Sequence, residues 1–394
     1  MKIDVFARNG TDPKALGVAF DAWLDGHDAA PDFVAVHKSV ACREAALTPR
    51  LASLGAGAIH GATSCLGVMS QDGPRIEDGA GAFAIWDPRG DYGSAMRPFG
   101  DDPRAAARAA TEAALVAADR PGEAPDLVWL SSSPGSEEAV LAGIEDVVGA
   151  NVPVMGGSAA DNAVAGEWLV YDARDVHSEG VVVSVLFPST SVSLAYHNGY
   201  APTEKRGTVT AAEGRLLREI DGRPAAEVYD AWTDRALLPR TADRTVPILS
   251  ESTLAPLGRY LHSVGDVPYF LLAHPAGLTP EGHLELFSDL AVGDEVTLMT
   301  GAPEQLTERA GKVAALAAQA GGVAPEALAG ALVVYCGGCM LAVRDRLDDV
   351  AGGIAAALPG VPFLGIFTFG EQGAVLGGRN RHGNLMISSV LFGA

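Results

Sequence analysis

At 394 residues, 48% of them hydrophobic, the chain has apolar material for more than one packed core, and two domains are the expectation from length. A formal net charge of −21 with no basic stripe excludes a sequence-independent grip on nucleic acid or on an anionic membrane, since both need clustered Lys and Arg. Four cysteines in so long a chain are not a disulfide scaffold, and no uncharged apolar run reaches the ~18–20 residues of a membrane helix. Met1-Lys2-Ile3-Asp4-Val5 does not read as a secretory signal, so a cytoplasmic location is expected.

Taken in order, Phe33-Val34-Ala35-Val36-His37 is a short apolar run entering a helical stretch. Ala58-Ile59-His60-Gly61 ends a second run, and Gly81-Ala82-Phe83-Ala84-Ile85-Trp86 closes the unit. The pattern returns more sharply as DLVWLSSS over Asp126–Ser133, a helical Glu137–Ile144, Val152-Pro153-Val154-Met155-Gly156, and His177 leading into Val181–Phe187. It returns again as ALVVYCGG over Ala331–Gly338, Asp349–Ile354, Val361-Pro362-Phe363-Leu364-Gly365, and His382 leading into Met386–Phe392. The shared Val-Pro-x-x-Gly and the shared His-to-Phe spacing mark an internal repeat, of which the first copy is the faintest.

Between the second and third copies the pattern changes. Ser191–His197, Thr208–Ala211, Tyr269–Ala273, Leu284–Phe287 and Glu295–Met299 are expected strands, with turn signals at Asp221-Gly222 and Gly265-Asp266. Pro224–Trp232 and the Ala-rich Pro303–Ala320 are expected helices, the second followed by Gly321-Gly322. The Pro-, Arg- and Thr-rich stretch Asp234–Gly258 is expected to be a long surface loop. The fold class is therefore α/β, in two domains (1–189 and 190–394) built from repeated strand–Gly/Ser turn–helix–strand–loop–strand units with mixed sheets.

In open α/β sheets, ligands collect beyond the carboxyl ends of the strands, where loops and helix N-termini present backbone N–H groups. The repeat places three small-residue loops there: Gly61-Ala62-Thr63-Ser64, Gly156-Gly157-Ser158 with Asp161-Asn162, and Thr368-Phe369-Gly370-Glu371. Gly61, Gly156 and Gly157 would let backbone approach a ligand closely. Thr63, Ser64, Ser158, Asn162 and Thr368 offer hydrogen bonds, and Asp161 and Glu371 are acceptors for an ammonium group. Such a set suits a zwitterionic or carboxylate metabolite if the loops converge on one hollow. Equally, small residues at strand ends make tight turns, and Ser, Asp and Asn cap helices.

Other chemistries have less support. No Gly-Lys-Ser/Thr closes a P-loop, and no Gly-x-Ser-x-Gly elbow is present. Cys336-Gly337-Gly338-Cys339 follows a strand, a placement that can favour thiol redox chemistry, and Cys336 also stands at the loop end with the candidate ligand-binding residues. The matching Ser131–Pro134 has no thiols, so a turn that tolerates cysteine explains both copies. A zinc sphere on Cys336, Cys339 and His382 or Cys65 lacks a second ligand pair at the usual spacing, leaving any metal unassigned.

The chain resembles the FIST family of paired N- and C-terminal sensory domains. The N-terminal likeness rests on Gly61-Ala62-Thr63-Ser64…Gly67 and on Val152–Asn162. The C-terminal likeness rests on Asp221–Tyr229, Gly293–Met299 and Pro362–Glu371. Departures are Gly67-Val68-Met69 where Gly-Glu-Ile is usual, and Cys339 where an Arg often follows Cys-x-Gly. The resemblance implies small-molecule sensing, with amino-acid-like ligands, by a binding protein and not an enzyme. One branch of the family binds haem and reports nitric oxide to a histidine kinase, so haem and a kinase partner are further expectations. A signal would pass to a separate protein, with no nucleic acid and no membrane involved.

Overall fold

The computed structural model describes residues 1–394 apart from 11, 43–46, 54, 235–243, 265–266 and 376. It is mixed α/β, as the repeat pattern requires, and the repeat occurs three times with one topology. Each unit runs edge strand, helix, first strand, helical crossover, second strand, hairpin, return strand. In unit one the strands are Lys2–Asn9, Phe33–Lys38, Ala58–Thr63 and Gly79–Trp86. In unit two they are Asp91–Pro98, Leu127–Ser132, Val154–Ser158 and Gly180–Phe187. In unit three they are Val192–Asn198, Leu328–Cys336, Phe363–Thr368 and Met386–Gly393.

Within each unit the return strand lies antiparallel between the edge strand and the first strand, and the first and second strands are parallel. The exposed side of each second strand is then closed by a hairpin from another unit. Val170–Tyr171 and Val176–His177 of unit two lie beside Ala58–Thr63, and Glu371–Ala374 and Asn380–Gly383 of unit three beside Val154–Ser158. Val68–Ser70 and Gly73–Arg75 of unit one lie beside Phe363–Thr368. The exchange closes a three-way cycle and completes three six-stranded sheets. It covers edges that would otherwise stay open for pairing. Two of the sheets therefore contain strands from both sides of residue 189.

Both faces of these sheets are buried, which is why strands such as Leu328–Cys336 and Gly180–Phe187 read as nearly unbroken apolar runs. Helices cover the outer faces: Pro103–Ala117 and Glu137–Val148 bury Val128, Leu130, Val181 and Val183. Asp102 caps the first of these helices by accepting from the Ala105 N–H at 3.0 Å, ahead of Pro103 in its first turn. The inner faces meet in a common core around Phe33, Phe83, Trp129 and Phe392. Fully burying each such side chain contributes roughly 1.5–3 kcal/mol.

Residues 201–300 are an insert in unit three, between its edge strand and its helix Pro303–Gly321. They form a nine-stranded antiparallel sheet with its own core, which includes Val209, Leu217, Tyr229, Leu284 and Val296. The Asp221-Gly222 turn joins paired strands with φ of 52° and 73°, the backbone that this dipeptide favours. The expected helices are found at Ala225–Trp232 and Pro303–Gly321, the latter ended by Gly322 in the left-handed conformation at φ 62°.

The expectation of a surface loop over Asp234–Gly258 is corrected for its described part, residues 235–243 lying outside the described residues. Val246–Pro247 pairs with Pro275–Leu278, and Leu249–Ser252 is a short helix with Ser252 buried. The apolar Ile248 and Leu257 enter the insert's core, and they override the turn-forming composition around them. The Gly265-Asp266 turn also lies outside the described residues.

Candidate functional site

The ends of the three second strands meet where the sheets converge, and they meet by bonding to one another. Ala160 N–H donates to the Thr63 carbonyl at 3.0 Å, Cys65 N–H to Phe367 at 2.9 Å, and Phe369 N–H to Ser158 at 3.2 Å. Each unit thus binds the next, as in the hairpin exchange. Backbone polar groups taken out of water need partners, and here the neighbouring unit supplies them.

The expected ligand-binding residues of these loops are occupied in the same way. Gly61 and Gly157 leave room for protein, since an added Cβ would stand 2.0 Å from the Tyr171 ring and 2.4 Å from Thr368 Cγ2 respectively. A Cβ at Gly156, whose φ is +153°, would fall 1.9 Å from the Leu130 carbonyl oxygen. Thr63 Oγ1 accepts from Leu169 N–H at 2.9 Å, and Ser64 Oγ accepts from Phe367 N–H at 2.8 Å. Ser158 Oγ donates to Glu137 at 2.7 Å. Asp161 accepts from the N–H groups of Ala163, Ala165 and Glu167 at 2.8–2.9 Å, so its carboxylate organises its own loop. Asn162 accepts from Leu66 N–H at 2.9 Å. Thr368 Oγ1 donates to Glu371 at 2.7 Å, and Met386 N–H donates to its other oxygen at 2.9 Å. Complete burial, with the Cys336 thiol beside it, pushes Glu371 well above the ordinary carboxyl range.

A cavity of about 480 Å³ lies beside this ring, between unit three and the insert. The insert supplies Leu249, Ser250, Thr253, Leu254, His274 and Phe287. The three-unit body supplies Cys336, Gly338, Leu341, Ala342 and Asn384, with Val164 and Phe369 from two of the converging loops. Among the described lining residues none carries an acidic or basic side chain other than His274. Of the candidates read from sequence, Cys336 alone lines it. Asn384 was missed, and His274 was read only as one of several histidines open to a haem, because neither sits in a local motif: they come from distant segments that the insert brings together.

His274 is held neutral. Burial lowers it to about 4, although the Leu249 carbonyl works the other way. Its Nε2 lies 3.0 Å from Ser252 Oγ, which takes that nitrogen from an iron. No Lys or Arg among the described lining residues would receive haem propionates. The cavity residues therefore do not fit haem. Cys336 and Cys339 are free and buried, and burial together with their mutual hydrogen bond raises Cys336 well above the ordinary thiol range.

A second polar cluster ties the insert to unit two. Arg215 of the insert touches Glu137, lies 3.0 Å from Glu138, and reaches Asp289 at 3.6 Å. Burial raises Glu137, but His382, Arg215 and Ser158 outweigh it and leave its carboxyl lowered. Glu137, Glu138 and His382 place ligand atoms within 4.8 Å of one another, the arrangement a metal would use. Arg215 already balances the carboxylates there, and His382 Nε2 is committed to the Phe287 carbonyl at 3.1 Å.

The family models match this chain in tandem, the FIST N domain over residues 32–223 and the FIST C domain over 225–374. The chain belongs to the FIST family. FIST domains are small-ligand sensory domains, and the junction between the two matches falls inside the insert that walls this chain's cavity. An uncharacterised protein of Methanocaldococcus jannaschii is 29% identical over 147 residues, 36% of the FIST chain and 25% of its own length. Uncharacterised proteins of Mycobacterium bovis and Mycobacterium tuberculosis are each 27% identical over 241 residues, 58% of this chain and 58% of theirs. The chain therefore matches less than two thirds of the length of these relatives. Among solved structures, a cyanuric acid hydrolase from A. caulinodans aligns over 100% of this chain and 99% of its own, at 10% identity and a TM-score of 0.39. No helix among the described residues is long and apolar enough to cross a membrane.

Proposed function

We propose that this FIST protein senses a small metabolite held in the cavity between unit three and the insert. The observation that carries the reading is the two-sided wall: the helix Leu249–Ser252 and His274 on one side, Cys336, Leu341 and Asn384 on the other. A ligand touching both sides binds one relative placement of insert and body more tightly than another, which is the condition for a signal. The protonated state of Cys336 supports a binding role over thiol catalysis, because the thiolate is the nucleophile. The signal would pass to a separate cytoplasmic protein, a histidine kinase being one such receiver.

A thermal-shift screen of metabolites, run on wild type and on Ala342→Trp, tests this. A true ligand at about 100 times its Kd stabilises the wild type by roughly 2.7 kcal/mol, and the tryptophan, placed in the cavity wall, removes the response. Equal responses in both proteins would place binding elsewhere and sink the proposal.

A further inference from the structure

We infer that the cavity takes an uncharged, largely apolar molecule carrying a carbonyl oxygen, and that the Asn384 carboxamide is the group that recognises it. This rests on the reading of the cavity as the ligand site. Asn384 is only 2% exposed. Its Oδ1 accepts from the His274 backbone N–H at 3.1 Å, which fixes the amide orientation and turns Nδ2 away from that bond. Nδ2 is buried and has no partner. Of the buried side-chain groups in that position among the described residues, Asn384 alone stands on this cavity's wall.

The hydroxyls of the wall and His274 Nε2 are committed. Thr253 Oγ1 donates to the Leu249 carbonyl at 2.6 Å, and Ser250 Oγ to Glu251 at 2.6 Å. His274 is held by Ser252, and Cys336 is paired with Cys339. What remains is an apolar chamber of Leu249, Leu254, Phe287, Leu341 and Phe369 with the unpartnered Asn384 amide in its wall. A buried donor left without an acceptor is costly, so the site favours a ligand that supplies one.

The charge of the ligand follows from the walls. A carboxylate would leave water for a cavity with no cationic side chain among its described lining residues and a neutral imidazole, a costly transfer that one neutral amide does not offset. An amide, ketone or ester oxygen meets the same donor without that cost. The backbone supports a built site as well. Val164 and Leu385 adopt left-handed φ of 54° and 55°. Val164 lies on the cavity wall, and Leu385 directly follows Asn384. Strained non-glycine residues of this kind persist where the surroundings hold them, and they cluster at ligand clamps.

The test compares three shape-related probes, phenylacetamide, phenylacetate and ethylbenzene. Binding to the full chain is followed by calorimetry and by the Asn384 side-chain amide resonances. Phenylacetamide is expected to bind about tenfold more tightly than either of the others and to shift the Asn384 amide protons downfield, which ethylbenzene does not. In Asn384→Leu the amide's advantage disappears while ethylbenzene still binds, showing a folded cavity; if that variant fails to fold, the wild-type resonances decide alone. Equal affinity for amide and hydrocarbon with a silent Asn384, or tightest binding of phenylacetate, overturns the assigned ligand class and leaves the cavity as the ligand site. Binding of none of the three, with no change at Asn384, overturns both.

Discussion

The ring of converging loops and the cavity beside it both draw on strand ends of one repeat, and they differ in what fills the space beyond those ends. In the parallel pairings, Lys38 lies opposite Thr63, Ser132 opposite Ser158, and Cys336 opposite Thr368. At the ring, where three similar ends face one another, the side chains of Thr63, Ser64, Ser158 and Thr368 all have protein partners. At the cavity, only unit three carries an insert, so Cys336 faces a wall that has no counterpart in the other two units. There a polar group, Asn384 Nδ2, is left over. Repetition of the unit lets its strand ends bond to one another and closes space; an insertion that breaks the repetition opens it.

The sharpest way to break the comparison is to put volume into the ring. Gly156→Val places a Cβ against the Leu130 carbonyl of the neighbouring strand, and backbone cannot move aside as a flexible side chain would. A loss of about 4 kcal/mol or more is expected in denaturant unfolding, a size reserved for overpacking and backbone strain. Near-wild-type stability with a ligand response abolished would mean the ring holds ligand after all.

Gly156 also shows where sequence reading reached its limit. The repeat was legible because Val152-Pro153-Val154-Met155-Gly156 and Val361-Pro362-Phe363-Leu364-Gly365 are the same local solution to the same strand and turn. The first copy was fainter because Ala58-Ile59-His60-Gly61 lacks that Val-Pro opening. Glycine and serine at strand ends have the same appearance whether they approach a ligand or a neighbouring chain segment. The cavity was not legible, because its wall draws on Val164, Leu249–Leu254, His274, Phe287, Cys336–Ala342, Phe369 and Asn384. Of these, only the Cys-Gly-Gly-Cys segment and Phe369, in the third small-residue loop, carry a local signal. The expected strands inside residues 201–300 were recognisable, but nothing local says that they interrupt a third copy of the unit.

A smaller effect tests how the cavity's two walls are held. Arg215→Met leaves Glu137, the buried first residue of the helix Glu137–Val148, without its guanidinium, and breaking a buried pair in this way costs about 3–5 kcal/mol. The exposed fringe of Arg215 places the expectation near 3 kcal/mol at pH 7. The sign with pH is fixed. With Arg215 present the Glu137 carboxyl is lowered, so its contribution is present above the ordinary value of 4.5 and lost as pH falls through the lowered one. Without Arg215 the burial of Glu137 is opposed only by His382 and Ser158, its carboxyl rises, and the variant's deficit shrinks as pH falls toward the ordinary value of 4.5. An equal deficit at pH 4 and pH 7 would show that Arg215 acts through packing alone.

The smallest effect concerns the loop that joins ring to cavity. Asp161 fixes residues 163–167 through three backbone N–H groups, and within that loop Val164 is held at φ 54° with 45% of its surface exposed. A β-branched residue in the left-handed region costs roughly 1–2 kcal/mol, a cost that asparagine largely escapes because its side chain bonds locally. Val164→Asn should therefore raise stability by about 1 kcal/mol. It should also weaken occupancy of the cavity, since it exchanges an apolar wall for a polar one. Together the two changes separate strain from packing. A gain in stability with weaker binding means the valine is kept for the cavity at the expense of the fold, whereas a loss of stability would mean that its side chain packs well enough to offset its backbone.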